Sequence, residues 1–82
     1  MIMVDIQVPA LNRQYNYMLD EQSTIEVLIP EILEVVNQKE GLTQHGGTGA
    51  FRLCLSESGT VMDRKCTLSQ YHCVNGSRLM LL

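Results

Sequence analysis

One stretch of this sequence carries a helical stripe. Ile25, Leu28, Ile29, Ile32 and Val36 recur at the i, i+3, i+4, i+7 spacing, which lines apolar side chains along one side of an α-helix. Ser23 or Thr24 offers a capping hydroxyl, Ser23 with Glu26 has the capping-box spacing, and Gly41 is the expected stop. Glu26, Glu31, Glu34, Asn37 and Gln38 fall on the opposite side, and Pro30 falls with them. A proline there deprives the Glu26 carbonyl of its amide partner, but on the wet side water replaces the lost bond. The expectation is one bent helix curving over a sheet, not two helices.

The rest of the chain supplies strands for that helix to cover. Ile2, Val4, Ile6 and Val8 alternate with polar or flexible residues up to Pro9, and Tyr15, Tyr17 and Leu19 alternate after a short polar connection, so the two runs read as a hairpin. Beyond the helix, Phe51, Leu53 and Leu55 form a third period-two run, Ser56 to Gly59 a turn, and Thr60 to Met62 a short fourth strand. Thr67 to Tyr71 reads as a brief helical turn, Asn75-Gly76 as a tight turn, and Arg78 to Leu82 as a last strand. The order is ββαββ plus a closing strand in 82 residues, which allows one domain over residues 1–82.

Composition removes several classes of function. A chain this short hides only about 60–65% of its unfolded surface, so a large catalytic cleft is not expected. Apolar runs reach four residues, as in Val27–Pro30 and Leu79–Leu82, against the ~20 that a bilayer-spanning helix needs. Direct membrane insertion is therefore not expected. The start of the chain has no basic region ahead of an apolar stretch, and its three cysteines fit reduced thiols, so a cytoplasmic location is expected. Residues 1–41 hold seven acids against two bases, and residues 42–82 four bases against two acids. Four dispersed bases without interleaved aromatics do not make a phosphate-binding surface, and nucleic acid is not an expected partner.

Chemistry-bearing side chains are also dispersed. Cys54, Cys66 and Cys73 form no CxxC pair, and neither a metal centre nor a Cys-His nucleophile pair is expected. Gly46-Gly47-Thr48-Gly49 lacks the following lysine and helix of a phosphate-binding loop, and reads as a connector in which His45 is decoration. No cofactor and no catalytic residue is assigned.

A hairpin, one helix and further strands in about eighty residues is the β-grasp order of an α+β fold, with a mixed sheet of four to five strands wrapped around one helix. Thr67-Leu68-Ser69-Gln70-Tyr71 resembles the Thr-Leu-Ser-Asp-Tyr segment of ubiquitin, and Thr24-Ile25-Glu26 resembles the start of its helix. The nearer resemblance is to the YukD and EsaB proteins, ubiquitin-like proteins of type VII (WXG100, ESX-like) secretion systems, and to the ubiquitin-like domain of the EccD channel proteins. Two blocks carry it. One runs from Tyr17-Met18-Leu19 through Thr24 to Leu33 with its mid-helix Pro30; the other runs from Leu68-Ser69 to Asn75-Gly76-Ser77-Arg78-Leu79, which resembles the Leu-Ser and Asn-Gly-Asp-Arg-Leu ending of YukD. Two positions depart from that pattern. His72 stands where YukD has a glycine, at a position expected to need a left-handed backbone, and Ser77 replaces an aspartate. Cys73 falls where ubiquitin has a core isoleucine, which fits a buried thiol.

The resemblance implies a non-enzymatic protein that binds a component of a secretion machinery, with its membrane or ATPase subunit as candidates. Apart from the resemblance, a second copy of the chain is a further candidate partner. Ubiquitin and the sulfur carriers react through a Gly-Gly tail, whereas this sequence stops at Met80-Leu81-Leu82, so conjugation is not expected. A degenerate sulfur carrier or modifier and a general ubiquitin-like adaptor are the alternatives. In β-grasp topology Met3, Arg52, Cys54, Arg78, Met80 and Leu82 are expected on the sheet face turned away from the helix. There Met3, Cys54, Met80 and Leu82 would form an apolar patch flanked by arginines, a composition suited to protein contacts. The outer helix face, with Val27 and Pro30 among Glu31 and Glu34, is the second expected surface.

Overall fold

A computed structural model describes residues 1–40 and 51–82. Strands β1 (Ile2–Val8) and β2 (Arg13–Leu19) precede helix α1 (Ile25–Glu40), and strands β3 (Leu53–Leu55) and β4 (Ser77–Leu81) follow it. Short 3-10 turns occupy Pro9–Leu11 and Ser69–Tyr71. Among the described residues the sheet has four strands, in the order β2-β1-β4-β3. β1 pairs antiparallel with β2 and parallel with β4, and β3 pairs antiparallel with β4. This is the β-grasp arrangement, a mixed sheet wrapped around one helix.

Alternation along the strands decides which side chains meet that helix. Val4, Ile6, Val8, Leu19, Leu53, Leu79 and Leu81 are buried on one face, together with the helix stripe Ile25, Leu28, Ile29, Ile32, Leu33 and Val36. Met62, Leu68 and Cys73 close the core beneath the loops. Pro30 lies inside α1 on its exposed side, and the helix continues through it, as expected where water can take the place of the missing amide.

Some boundaries differ from the sequence reading. β2 begins at Arg13, because its pairing with β1 runs from Val8↔Arg13 to Ile2↔Leu19 without a break. The expected fourth strand at 60–62 is reduced to one bridge, Cys54↔Val61, with the Leu55 amide donating to Thr60 O at 2.9 Å and the Met62 amide to Leu53 O at 2.9 Å. Asp63 then turns the chain away. Its amide donates to the Tyr71 hydroxyl at 2.7 Å, its carboxylate accepts from the Lys65 amide at 2.8 Å, and its carbonyl accepts from the Cys66 amide at 3.0 Å.

The start of α1 is closed differently from a capping box. The Ile25 amide donates to Cys66 O at 2.8 Å and the Glu26 amide to Arg64 O at 3.0 Å. Two helix-start donors are thus satisfied by backbone from a segment forty residues away in sequence. The Ser23 amide donates to Asp20 O at 3.1 Å, and the Glu26 carboxylate accepts from Lys65 Nζ at 3.1 Å. Both backbone amides that the expected box would use, and the Glu26 carboxylate, are therefore engaged elsewhere. Gly41, His45 and the glycine run Gly46–Gly49 lie outside the described residues.

Candidate functional site

The open face of the sheet is a grid whose rows follow from the strand registers. Met18 and Met3 are cross-strand partners in one row. Asn16, Asp5 and Arg78 form the next, and Gln14, Gln7, Met80 and Cys54 the one after. Past that row, Arg52 and Leu82 exchange both backbone hydrogen bonds at 2.8 Å, so the chain stays in sheet geometry to Leu82.

This register divides the expected patch. Met80, Leu82 and Arg52 gather at one corner, while Met3 sits two rows away beside Met18, across the polar Asn16-Asp5-Arg78 row. Met3 and Met18 are 42% and 46% exposed, and together they make a second apolar spot. Cys54 is only 3% exposed. It lies on the open face in register with Met80, but its other neighbour is Val61 through the extra bridge, and that flank takes the thiol out of reach. Cys54 therefore underlies the patch, and Val61, half exposed, stands at its margin. Neither Met18 nor Val61 was expected in the site. The hairpin register and the bridge decide both, and neither is written in period-two alternation.

The polar row has its own geometry. Gln14 Nε2 donates to Asp5 Oδ2 at 2.6 Å, while Asp5 Oδ1 is shielded from solvent with no hydrogen-bond partner. Arg78 is its register neighbour on β4, and its side chain is exposed. The Met3 backbone faces β4: its amide donates to Asn75 Oδ1 at 2.9 Å and its carbonyl accepts from the Gly76 amide at 2.8 Å.

On the other side of the molecule, Val27, Pro30, Glu31 and Glu34 are all exposed on α1, as the helical spacing predicts. Towards β2 this helix presents charge of both signs. Lys39 Nζ lies 5.5 Å from the centre of the Tyr15 ring. The phenol of Tyr17 is pushed up by burial first, then by the negative charges of Glu34 and Glu31.

Among the described residues, the thiols and His72 do not converge. Cys73 is buried, and burial pushes its thiol up against the opposing effect of a hydrogen bond with Ser77, which favours the protonated, poorly nucleophilic form. His72 adopts φ 59°, ψ 31° at the end of the 3-10 turn, the left-handed conformation expected from its place in the motif. Among the described residues, no group of three or more His, Cys, Asp or Glu side chains is placed to hold a metal ion. A shallow groove lined by Leu55, Glu57, Tyr71, His72, Ser77 and Arg78 adjoins the polar row. Among the described residues no helix is long and apolar enough to cross a membrane.

Comparison with known proteins agrees with this architecture. The EccD5 ubiquitin-like domain from Mycobacterium xenopi superposes with TM-score 0.78 at 28% identity, covering 99% of this chain and 91% of that one. A chain of the MycP5-free ESX-5 inner membrane complex matches with TM-score 0.78 at 23% identity, covering 99% of this chain but 20% of the longer one. The UBL domain of Plasmodium falciparum Dsk2 shares the fold at 19% identity, with TM-score 0.75 and coverage of 98% and 93%. Among curated proteins no sequence matches. The profile of the family described as WXG100 protein secretion system (Wss), protein YukD, matches residues 3–81. With nearly every residue inside that match and the β-grasp sheet in place, the chain belongs to the YukD family of ubiquitin-like proteins.

Proposed function

We propose that this chain is a non-enzymatic, non-conjugated, cytoplasmic component of a type VII secretion system, and that it works by binding a protein of that machinery. The family match over residues 3–81 carries this reading. The likeness to a chain of the ESX-5 inner membrane complex supports a partner within the membrane or ATPase part of such a machine. No cofactor enters the mechanism.

The proposed contact is the corner of the open sheet formed by Met80, Leu82, Arg52 and Arg78, with Cys54 beneath and Met3 at the far side of the polar row. Flexible thioethers adapt to a partner surface and arginines supply directed hydrogen bonds at its rim. Recognition here needs little rearrangement, because the strands that hold these residues are paired to each other through the backbone. The Val27, Pro30, Glu31 and Glu34 face of α1 is the second proposed contact.

Capture from cells carrying the secretion genes tests the reading. A tagged wild-type chain should recover a secretion-system subunit, and Met80→Asp or Arg78→Glu should reduce recovery at least about tenfold while the fold is retained. Wild-type chain that recovers no such subunit, together with unchanged WXG100 export in a deletion strain, overturns the proposal. An adduct through the Leu82 carboxylate, seen by intact mass, would favour the carrier or modifier alternative.

A further inference from the structure

The two margins of the sheet are unequal, and the longer one is open. β3 is three residues long and is flanked by the Cys54↔Val61 bridge. β2 is seven residues long, has Arg13 at its start as its one charged residue, holds regular register with β1 throughout, and contains neither proline nor lysine. Those are devices that commonly protect an exposed margin.

The backbone directions along β2 follow from Met3. In an inner strand, a residue sends its N–H and C=O to the same side, and the sides alternate along the strand. Both Met3 groups bond to Asn75 and Gly76, on the β4 side. Met3↔Met18 is therefore a pair without mutual backbone bonds, and by alternation so are Asp5↔Asn16 and Gln7↔Gln14. The backbone N–H and C=O of Gln14, Asn16 and Met18 thus point outward, away from β1. All three residues are exposed.

An antiparallel partner centred on Asn16 would pair Asn16 with Asn16 and Gln14 with Met18, two bonds to each pair, in an isologous contact. The same register places Tyr15 opposite the Tyr17 of the second copy. Lys39 stands over Tyr15, and the carboxylates of Glu34 and Glu31 act on Tyr17. The two-fold therefore brings Lys39 of each helix towards the Glu31 and Glu34 carboxylates of the other, twice. An unrelated strand gains the backbone bonds but not this reciprocal charge match.

We infer that the chain pairs with a second copy of itself through β2, antiparallel and centred on Asn16, giving one continuous eight-stranded sheet whose two helices are matched by Lys39 and Glu34. This goes beyond the secretion-partner proposal and does not depend on it, since it uses the margin of the sheet rather than the Met80 corner.

Analytical ultracentrifugation of the full chain over a concentration series is the test, with hydrogen exchange of individual amides beside it. A reversible monomer–dimer equilibrium is expected, in which the Gln14, Asn16 and Met18 amides gain protection as concentration rises. Asn16→Pro removes an outward amide that β1 does not use, and it should weaken dimerisation at least about tenfold. Lys39→Glu should also weaken it, and adding Glu34→Lys to that variant should restore it to within about threefold of wild type. Should Asn16→Pro unfold the chain, the charge-reversal pair decides the matter. A wild-type chain that stays monomeric to about 1 mM overturns the inference, including one that captures an unrelated extended peptide on β2. So does a dimer indifferent to Lys39→Glu, or one abolished by Met80→Asp, which would place the contact on the open sheet face.

Discussion

On the helix side of the sheet, Val4, Ile6, Leu53, Leu79 and Leu81 are withdrawn from water, while on the other side their immediate neighbours Met3, Asp5, Arg78 and Met80 alternate between apolar and charged. The same strands carry both sets. What separates them is coverage by α1. Under the helix, every side chain is held by several others and volume matters; on the open side, a residue answers mainly to its two cross-strand partners and to solvent. The helix side therefore sets the stability of the chain, and the open side is free to vary in chemistry, which is the freedom a binding surface needs.

The strongest challenge to that contrast is Leu79→Ala. It leaves a cavity beneath α1 in a small domain and should lower the unfolding free energy by about 3–4 kcal/mol in urea titration. Met80→Ala, one residue away, should change it by no more than about 1 kcal/mol. If the two effects were equal, the open face would be part of the core. Intermediate effects belong to the segment that ties the loops to the helix. Tyr71→Phe deprives the Asp63 amide of its acceptor and should cost about 1 kcal/mol. Gly76 holds φ 88° with open space around its absent side chain, so Gly76→Ala should cost about 1 kcal/mol through backbone strain alone. His72→Gly should act in the opposite sense and stabilise by about 0.5–1 kcal/mol, since His72 occupies φ 59°. Met3→Ser should fall within about 0.5 kcal/mol of wild type, as should Lys65→Ala, whose Glu26 partner is itself well exposed.

The smallest effect is a dependence on alkaline pH. Burial raises the Cys73 thiol above its ordinary value of 9.0 and the Tyr17 phenol above 10.0. In both cases the unfolded chain releases its proton first as pH rises. The contribution is therefore complete below those values and is lost as pH climbs through the folded-state pKa. Urea midpoints measured from pH 8 to pH 10.5 should decline, and Cys73→Ala and Tyr17→Phe should each flatten the decline. A thiol reagent near pH 8 should label Cys66, which is partly exposed, before Cys73.

The elements were legible where one residue's environment depends on its close neighbours in sequence. The stripe from Ile25 to Val36 and the alternation of β1 and β4 are local matters of period, whereas the left-handed His72 follows from the resemblance, in which it stands where YukD has a glycine. Placement of the site was less legible because it depends on registers. Period-two reading puts Met3 and Met80 on one face, but only the β1–β2 and β1–β4 alignments show that Met3 meets Met18 and that Asp5 and Arg78 intervene. Cys54 reads as outward and is so in direction, yet the Val61 bridge buries it. The helix start misled for a similar reason. Ser23 and Glu26 have the spacing of a cap, but the carbonyls of Cys66 and Arg64, remote in sequence, accept from the Ile25 and Glu26 amides. Each of these is a long-range fact that no window of a dozen residues contains.

The parallel pairing of β1 with β4 also bears on how the chain is made. Met3 is bonded to Asn75, 72 positions further along the chain, and Val4 to Gln7 align with Ser77 to Met80 at the centre of the sheet. During synthesis, the hairpin and the helix emerge long before the strand that must lie between β1 and β3. The apolar face of β1 waits without its central neighbour until that strand leaves the ribosome. Closure of the sheet is thus expected to wait for β4 and to be slowed by loop closure. A truncation lacking β4 should expose the Val4 and Ile6 face and aggregate rather than persist as a smaller folded unit.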